Sequence, residues 1–229
     1  MAIIFDINVF SNPKIIEFII QGLWFTIFLT IGGLSLGFAV GSTLAFMEVY
    51  SSKPISAIAR IIGEVFRGIP LIVLFLLLYF GLPNIGVRLT AIQAAILGLG
   101  IRSAAYQSQI FRGSLEAVGR SQLEAALSIG MTPIQAYVYI LLPQALRISI
   151  PAWTNEFTIV LKDTSIAYVL GILEIMTRAD LIARSIGRYL EVYIIVALMY
   201  FLMVVFVNKV FYYLYEKYRI PGLGGVEAQ

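Results

Sequence analysis

The chain has 229 residues, of which 60% are hydrophobic and 13% charged, and its formal net charge is +3. Soluble domains average about 45–50% apolar and about 25% charged residues, so this composition is typical of a protein embedded in lipid. The sequence contains no Cys and no His, which excludes disulfides, thiolate or His-ligated metal sites and His acid–base catalysis in this chain. Its Lys and Arg form no basic block, so nucleic-acid binding has no support.

Five apolar segments are long enough to cross a bilayer, which takes about 20 helical residues. These segments cover residues 23–46, 58–80, 89–111, 147–170 and 189–213. In the first, Gly33, Gly37 and Gly41 recur every four residues, which favours close packing within the chain over a dimer contact. Pro70 predicts a kink in the second, because proline lacks a backbone donor. The sequence therefore predicts an all-α membrane protein with five transmembrane helices in one domain, residues 1–229.

Polar side chains inside the third and fourth spans are the candidate binding residues. An ionised side chain costs about 2.5–3.5 kcal/mol at the centre of a membrane helix, so these groups should face a cavity or one another. Ser103 and Gln107 are four residues apart, and Glu156 and Asp163 are seven apart on one helical face. A structural ion pair, such as Lys162 with Glu156, is the alternative. The candidates are Ser103, Tyr106, Gln107, Asn155, Glu156, Asp163, Thr164 and Ser165.

The stretch between the third and fourth spans, residues 120–143, predicts two short helices joined by a sharp turn. The first helix runs from Arg120 to Ile129 with one apolar side, and Gly130 stops it. Thr132 supplies the N-cap of the second helix, with a proline directly after it, and Pro143 ends that helix. Such a compact pair is suited to a groove on another protein.

Several motifs resemble the permease subunits of ATP-binding-cassette (ABC) importers, and together they cover nearly the whole chain. The sequence Glu124-Ala125-Ala126, followed by Gly130 and by Ile140, Leu142 and Pro143, resembles the EAA motif. Four further runs resemble the branch that imports polar amino acids, and most of all its permeases for basic amino acids. They are FRGIPLIVLF (66–75), YFGLP (79–83), LPQALRISIP (142–151) and LKDTSIAYVLG (161–171).

The resemblance implies a type I ABC importer permease fold, in which residues 120–143 form a cytoplasmic coupling loop that contacts an ATPase subunit. The coupling residues it implies are Glu124, Ala125, Ala126, Gly130, Met131 and Thr132. It also implies an extracytoplasmic binding protein and a second permease copy, either identical or a close paralogue. The sequence has no GxxxxGK[ST] phosphate loop, so ATP and Mg²⁺ are expected in the ATPase partner, and this chain should bind no cofactor or metal and have no catalytic residue.

The expected function is movement of a polar, basic L-amino acid into the cell by alternating access. A zwitterionic substrate needs donors for its carboxylate, which Thr164, Ser165 or unwound backbone could supply. It needs acceptors for its ammonium group, which Asp163 or Glu156 could supply. Two other classes stay open: a secondary transporter that works alone with a coupling ion, and a structural membrane subunit.

The distribution of Lys and Arg predicts the orientation in the bilayer. The segments 48–67, 112–147 and 209–219 hold nine of them, and the segments on the opposite side hold five. Because cytoplasmic loops carry the excess, the coupling loop and the C-terminus should be cytoplasmic and the N-terminus outside. The protein is expected to be a multi-pass component of a prokaryotic cell membrane, in contact with the lipid bilayer.

The connection at 171–188 lies on the outer side in this topology. Its charged residues Glu174, Arg178, Asp180 and Arg184 could dock an external partner. Solvated loop charges are the alternative explanation.

Overall fold

The computed structural model describes residues 8–218, and these residues contain helices and turns but no β-strand. The α-helices in this range are α1 (Asn8–Ser11), α2 (Pro13–Ile20), α3 (Leu23–Tyr50), α4 (Lys53–Gly68), α5 (Leu71–Leu76), α6 (Ala91–Val118), α7 (Arg120–Ser128), α8 (Pro133–Ala136), α9 (Leu142–Asp163), α10 (Ile175–Ile186) and α11 (Tyr189–Tyr218). Single π-helical turns cover Leu77–Gly81 and Tyr137–Leu141, and 3₁₀ segments cover Leu82–Ile85 and Thr164–Leu170. Both chain ends, and Arg219 of the charge count, lie outside the described residues.

Helical structure covers all five predicted spans except for short breaks. Within residues 8–218, length and composition alone identify two helical segments that could cross a membrane. They are Pro13–Tyr50, which is α2 and α3 taken together, and Tyr189–Tyr218, which is α11. A third is obtained if Lys53–Gly68 and Leu71–Ile85 count as one broken span. The helices over the third and fourth predicted spans, α6 and α9, do not meet that test. Both carry buried polar side chains, which lower their mean hydropathy.

The two prolines singled out in the sequence have different effects. At Pro70 the helix does not merely kink: α4 ends at Gly68 and α5 begins at Leu71, with Pro70 as its N-cap. The expectation that Pro143 ends the second short helix is wrong. The chain stays helical from α8 through the π-helical turn into α9, and Pro143 is the second residue of α9. At the start of a helix the missing N–H of proline has little cost.

The polar connection at 171–188, for which no helix was predicted, contains the 12-residue helix α10. Ile175, Ala179 and Ala183 recur every four residues on it, and all three are fully buried. This spacing gives α10 one apolar face despite its many charges. Gly187, with a φ of 68°, ends the helix in the left-handed region, where glycine carries no Cβ penalty.

The first of two compact units comprises the described residues up to Leu36, with Ile69–Gly100 and Thr158–Phe206. Its core joins α2, α10 and the first half of α11. The buried residues of that core are Val9, Ile15, Ile19, Ile175, Ala179, Ala183, Val192, Ile195 and Val196. Gly22 allows the chain to pass directly over α10, since a Cβ there would lie 2.6 Å from the backbone nitrogen of Ile175.

The second unit comprises Gly37–Gly68, Ile101–Phe157 and the described residues from Val207 onward. Its core is built where α3, α6 and the start of α9 meet. The buried residues are Ala45, Phe111, Leu115, Val118, Leu141 and Ala145. Apolar side chains gain little by leaving lipid, so close packing and internal hydrogen bonds must hold such helices together.

Candidate functional site

Helices α6 and α9 of the second unit bring four polar side chains into contact. Ser103 and Gln107 lie one turn apart on α6, and Trp153 and Glu156 lie one turn apart on α9. The Ser103 hydroxyl donates to Oε1 of Glu156 at 2.8 Å. The side-chain amide of Gln107 donates to Oγ of Ser103 at 3.0 Å, and the Trp153 indole N–H donates to Oε1 of Gln107 at 2.8 Å. We call these four residues the polar cluster.

These three hydrogen bonds of the polar cluster form a chain that leads to the carboxylate. This hydrogen-bond chain runs from the indole to the amide, then to the hydroxyl and the carboxylate. Each hydrogen bond polarises the next one, since the surroundings have a low dielectric constant. Ser103 and Gln107 are fully buried, and Glu156 is only 2% exposed. A buried carboxylate without such donors would be strongly destabilising. The cluster therefore holds the Glu156 carboxylate hydrogen-bonded inside the second unit.

Two glycines of α3 pack tightly against the polar cluster. A Cβ at Gly37 would lie 2.7 Å from Nε2 of Gln107 and 2.8 Å from Cβ of Ser103. A Cβ at Gly41 would lie 2.9 Å from the carbonyl oxygen of Ala104. In the first unit, a Cβ at Gly33 would lie 2.7 Å from Cβ of Leu99. All three glycines thus face α6, as expected for packing within the chain.

Trp153 is a member of the cluster that sequence reasoning missed. Its spacing of three from Glu156 puts both on one face of α9. A partly buried indole usually finds an acceptor for its N–H, which here is Gln107. The two signals together, a tryptophan one turn from an intramembrane carboxylate, could have identified it.

A cavity of about 160 Å³ adjoins the polar cluster on the Trp153 side. It is lined by Phe38, Phe111, Leu146, Ser149, Ile150 and Trp153, all of the second unit. Its walls are almost wholly apolar, with the Ser149 hydroxyl committed to the Leu146 carbonyl at 2.8 Å. An apolar space of about 150 Å³ can hold a group the size of benzene.

Two other candidates of the second unit lie outside the cluster. Tyr106 is half-buried, and the guanidinium carbon of Arg102 lies 4.8 Å from its ring centroid. This cation–π contact accounts for part of the stabilisation of a charged residue within the third span. Asn155 is exposed on α9, on a different face from the buried Glu156.

The remaining candidates, Asp163, Thr164 and Ser165, lie in the first unit where α9 gives way to the 3₁₀ segment. Asp163 is half-buried. The Thr164 hydroxyl donates to the Leu161 carbonyl at 2.7 Å, and the Ser165 hydroxyl donates to the Lys162 carbonyl at 2.7 Å. Both hydroxyls thus satisfy carbonyls at the helix end, and in this conformation Thr164 is fully buried.

The turn of the coupling loop has the geometry that the sequence predicts. Helix α7 ends at Ser128, and Gly130 adopts a φ of 87°. The amide of Gly130 donates to the Leu127 carbonyl at 3.0 Å, and that of Met131 donates to the Ala126 carbonyl at 3.2 Å. This pair of bonds is a Schellman motif, in which the left-handed residue is usually glycine.

The next helix begins with a capping box. The backbone N–H of Thr132 donates to the Gln135 side chain at 2.9 Å, and the backbone N–H of Gln135 donates to the Thr132 hydroxyl at 3.3 Å. Of the six predicted coupling residues, Ala126 is buried and Met131 half-buried. Glu124, Ala125, Gly130 and Thr132 are exposed, beside the exposed apolar side chains of Ile129 and Ile134. The loop therefore exposes both polar and apolar side chains, and the hydrogen bonds of the turn and the capping box hold its backbone in place.

The connection at 171–188 does not expose all of its charges. Glu174 is fully buried as the N-cap of α10, where it accepts from the amides of Met176 and Thr177 and from the Tyr200 hydroxyl. Burial raises the pKa of Glu174, although these hydrogen bonds oppose the shift. The idea that Glu174 docks an external partner is therefore wrong, because its side chain is enclosed by its own unit.

The other three charges of this connection make contacts within the first unit. Arg178 donates to the Phe18 carbonyl at 3.3 Å and to the Gln21 side chain at 3.0 Å. Asp180 pairs with Arg184 at 2.8 Å. The Arg184 side chain stays 65% exposed.

Comparison with known proteins agrees with this description. Residues 33–220 match the family described as binding-protein-dependent transport system inner membrane component. The probable glutamine ABC transporter permease protein GlnM of Bacillus subtilis (strain 168) is 36% identical over 81% of this chain and 86% of its own length. The arginine transport system permease protein ArtQ of the same organism is 34% identical over 82% and 87%.

A solved structure, described as the crystal structure of an amino acid ABC transporter with histidines, is 37% identical to this chain. The two structures superpose with a TM-score of 0.81, and the match covers 93% of this chain and 100% of the solved chain. The helical fold and the EAA loop define a class, the membrane subunit of a type I ABC importer. The chain belongs to the binding-protein-dependent transport system inner membrane component family, as an amino-acid ABC transporter permease subunit of the inner membrane.

Proposed function

We propose that this permease subunit imports a basic L-amino acid by alternating access. The observation that carries the proposal is the buried carboxylate of Glu156 at the end of a chain of donors. An intramembrane carboxylate is costly, so its presence favours a functional role. A guanidinium or ammonium group is the partner that such a carboxylate attracts most strongly.

The apolar cavity beside Trp153 supports the same assignment. Arginine and lysine carry three or four methylene groups between backbone and charge, and these stems pack well on apolar walls. The cavity of about 160 Å³ suits such a stem, and Trp153, which lines it, belongs to the same polar cluster as Glu156. We assign recognition of the cationic end to Glu156 and contact with the stem to the cavity walls.

The residues at the end of α9, in the first unit, have a separate proposed role: they contact the backbone of the substrate at a different stage of its passage from the one at Glu156. Asp163 is an acceptor for the substrate ammonium group. Thr164 and Ser165 now donate to carbonyls of α9, so they can serve the substrate carboxylate only after rotating. Tyr106 and Asn155 are proposed to line the route, since they are accessible on α6 and α9.

The energy for transport is proposed to come from a separate ATPase subunit, which holds ATP and Mg²⁺. The rigid, exposed coupling loop is the proposed contact, through Glu124, Ala125, Gly130 and Thr132 with Ala126 and Met131 in support. We further propose a second permease copy and an extracytoplasmic binding protein, with the coupling loop and C-terminus in the cytoplasm and the N-terminus outside.

Glutamine is the second candidate substrate. GlnM, described as a probable glutamine permease, is 36% identical to this chain, and ArtQ is 34% identical. The Ser103 and Gln107 side chains could bond a neutral amide as well as they bond each other.

Reconstitution tests the proposal. The chain is placed in proteoliposomes with its extracytoplasmic binding protein, with and without its ATPase subunit, and uptake of labelled L-arginine and L-glutamine is measured. We expect ATP-dependent arginine uptake only with the ATPase. Glu156→Gln should reduce arginine uptake about tenfold or more, because a charge-assisted contact is lost. Glu116→Gln is the matched control, since the Glu116 side chain is 55% exposed in a surface pair with Arg112.

Each contrary result has a definite meaning. Uptake without the ATPase would identify an autonomous secondary transporter. Glutamine uptake that exceeds arginine uptake and survives Glu156→Gln would favour the second candidate. A chain that supports neither uptake nor ATPase stimulation would be a structural subunit.

A further inference from the structure

Tyr137 joins the coupling loop to α3 within the second unit. It is the first residue of the π-helical turn that follows α8. Its phenol donates to the carbonyl oxygen of Ser42 at 3.3 Å, 95 residues away in sequence. Its ring lies 4.6 Å from the ring of Phe46 and 6.2 Å from that of Tyr50, measured between centroids. Tyr137 thus holds both a polar and an aromatic contact with the same helix.

The coupling loop is rigid on the side that leads to Tyr137. The capping box fixes the start of α8, and the amide of Ala136 donates to the Thr132 carbonyl at 2.9 Å. Ala136 and Leu141, on either side of Tyr137, are fully buried. Because the loop has little internal freedom here, a displacement of the exposed loop must move Tyr137 with it.

The contact between α3 and α6 is equally stiff. At Gly37 and Gly41 no side chain separates α3 from α6, and a Cβ at Gly41 would already lie 2.9 Å from Cβ of Gln107. Gln107 is the central member of the polar cluster, since it bonds both Ser103 and Trp153. A shift of α3 therefore changes the space available to Gln107.

We propose that Tyr137 is the positioning residue that couples movement of the loop to the polar cluster, through Ser42 and the glycine face of α3. This inference rests on the proposed function, because it assumes that an ATPase moves the loop. Every group in this connection, from Tyr137 through Ser42 and Gly37 to Gln107, belongs to the second unit. Burial, with a smaller contribution from Tyr50, raises the pKa of Tyr137 to about 12, so the phenol keeps its proton at physiological pH.

The test is Tyr137→Phe, which removes the hydroxyl and keeps the ring packing. The variant is assembled with the ATPase subunit and binding protein in proteoliposomes. The quantity measured is the transport ratio, the number of labelled L-arginine or L-glutamine molecules taken up per ATP hydrolysed. We expect this ratio to fall about threefold, as for the loss of one neutral hydrogen bond, while assembly is retained. Tyr139→Phe is the control, because Tyr139 is 68% exposed two residues away, and it should leave the ratio unchanged.

A second readout does not depend on uptake. The chain has two tryptophans, so in a Trp24→Phe background the emission reports Trp153 of the polar cluster. With the emission of the ATPase subunit measured separately and subtracted, addition of the ATPase subunit and ATP should shift the Trp153 emission with Tyr137 present and much less with Tyr137→Phe. An equal shift in both proteins, or an unchanged transport ratio, overturns the inference. If the Trp24→Phe chain with Tyr137 intact shows the emission shift but no uptake, the proposed function fails. Comparison of its emission shift with that of Tyr137→Phe still decides the coupling role of Tyr137.

Discussion

At the scale of single residues, Gly37 sets how closely α3 approaches α6 in the second unit. We expect Gly37→Ala to destabilise the protein by about 1–3 kcal/mol, because the new methyl group would have to displace Gln107 and Ser103. Gly113→Ala, on α6, has no heavy atom outside its own helical turn within 4 Å of the new Cβ and should be neutral or slightly stabilising.

Thermal unfolding of the two variants in detergent measures this difference. Equal midpoints for Gly37→Ala and Gly113→Ala would show that the α3–α6 contact can relax without cost. The same residue shows what sequence could and could not supply. Its four-residue spacing from Gly33 and Gly41 predicted the packing face, but the partner atoms on Gln107 and Ser103 depend on how the helices are rotated, and one sequence does not contain that information.

At the scale of elements, the turn after α7 depends on a left-handed residue. We expect Gly130→Ala to destabilise this turn by about 1 kcal/mol, because Cβ is crowded at a φ of 87°. Gly130→Asn should cost less, since asparagine tolerates this region better. No other atom lies within 4 Å of a Cβ at Gly130, so the effect is one of backbone conformation alone.

Hydrogen exchange of the Met131 amide, which bonds the Ala126 carbonyl, reports the turn directly. The amide should exchange about fivefold faster in Gly130→Ala than in the native chain, with Gly130→Asn between them. Identical exchange in all three proteins would mean that the surrounding helices fix the turn without help from glycine.

The elements also show where local rules stop. Gly130 and Thr132 were recognisable because a left-handed stop and an N-cap are local signals, and both are present as predicted. Pro143 was misjudged because its effect depends on the turn before it. The π-helical turn Tyr137–Leu141 widens the backbone just upstream, so the proline falls at the start of α9 where a missing donor is tolerated.

At the scale of the whole molecule, the orientation in the membrane can be read with cysteine labelling, since the chain contains no cysteine of its own. Ala125→Cys places a thiol on exposed α7, and Ser185→Cys places one on exposed α10. If the Lys and Arg distribution sets the topology, a membrane-impermeant maleimide should label Ser185→Cys in intact cells and Ala125→Cys only after lysis.

The unsubstituted chain is the control and should not be labelled at all. Labelling of Ala125→Cys in intact cells would invert the topology and remove the coupling loop from the cytoplasm. Composition and motif order were enough to predict the helical class and the family. The substrate could not be predicted, because relatives of similar identity include one described as a glutamine permease and one described as an arginine permease.

The polar character of α6 and α9 has a consequence for how the protein is made. The ribosome synthesises α6 well before α9, so Ser103 and Gln107 emerge when Trp153 and Glu156 do not yet exist. Helices of this composition are poor candidates for leaving the insertion channel one at a time. We expect α6 to be most stable in the bilayer once α9 is beside it, because only then do Ser103 and Gln107 have these partners.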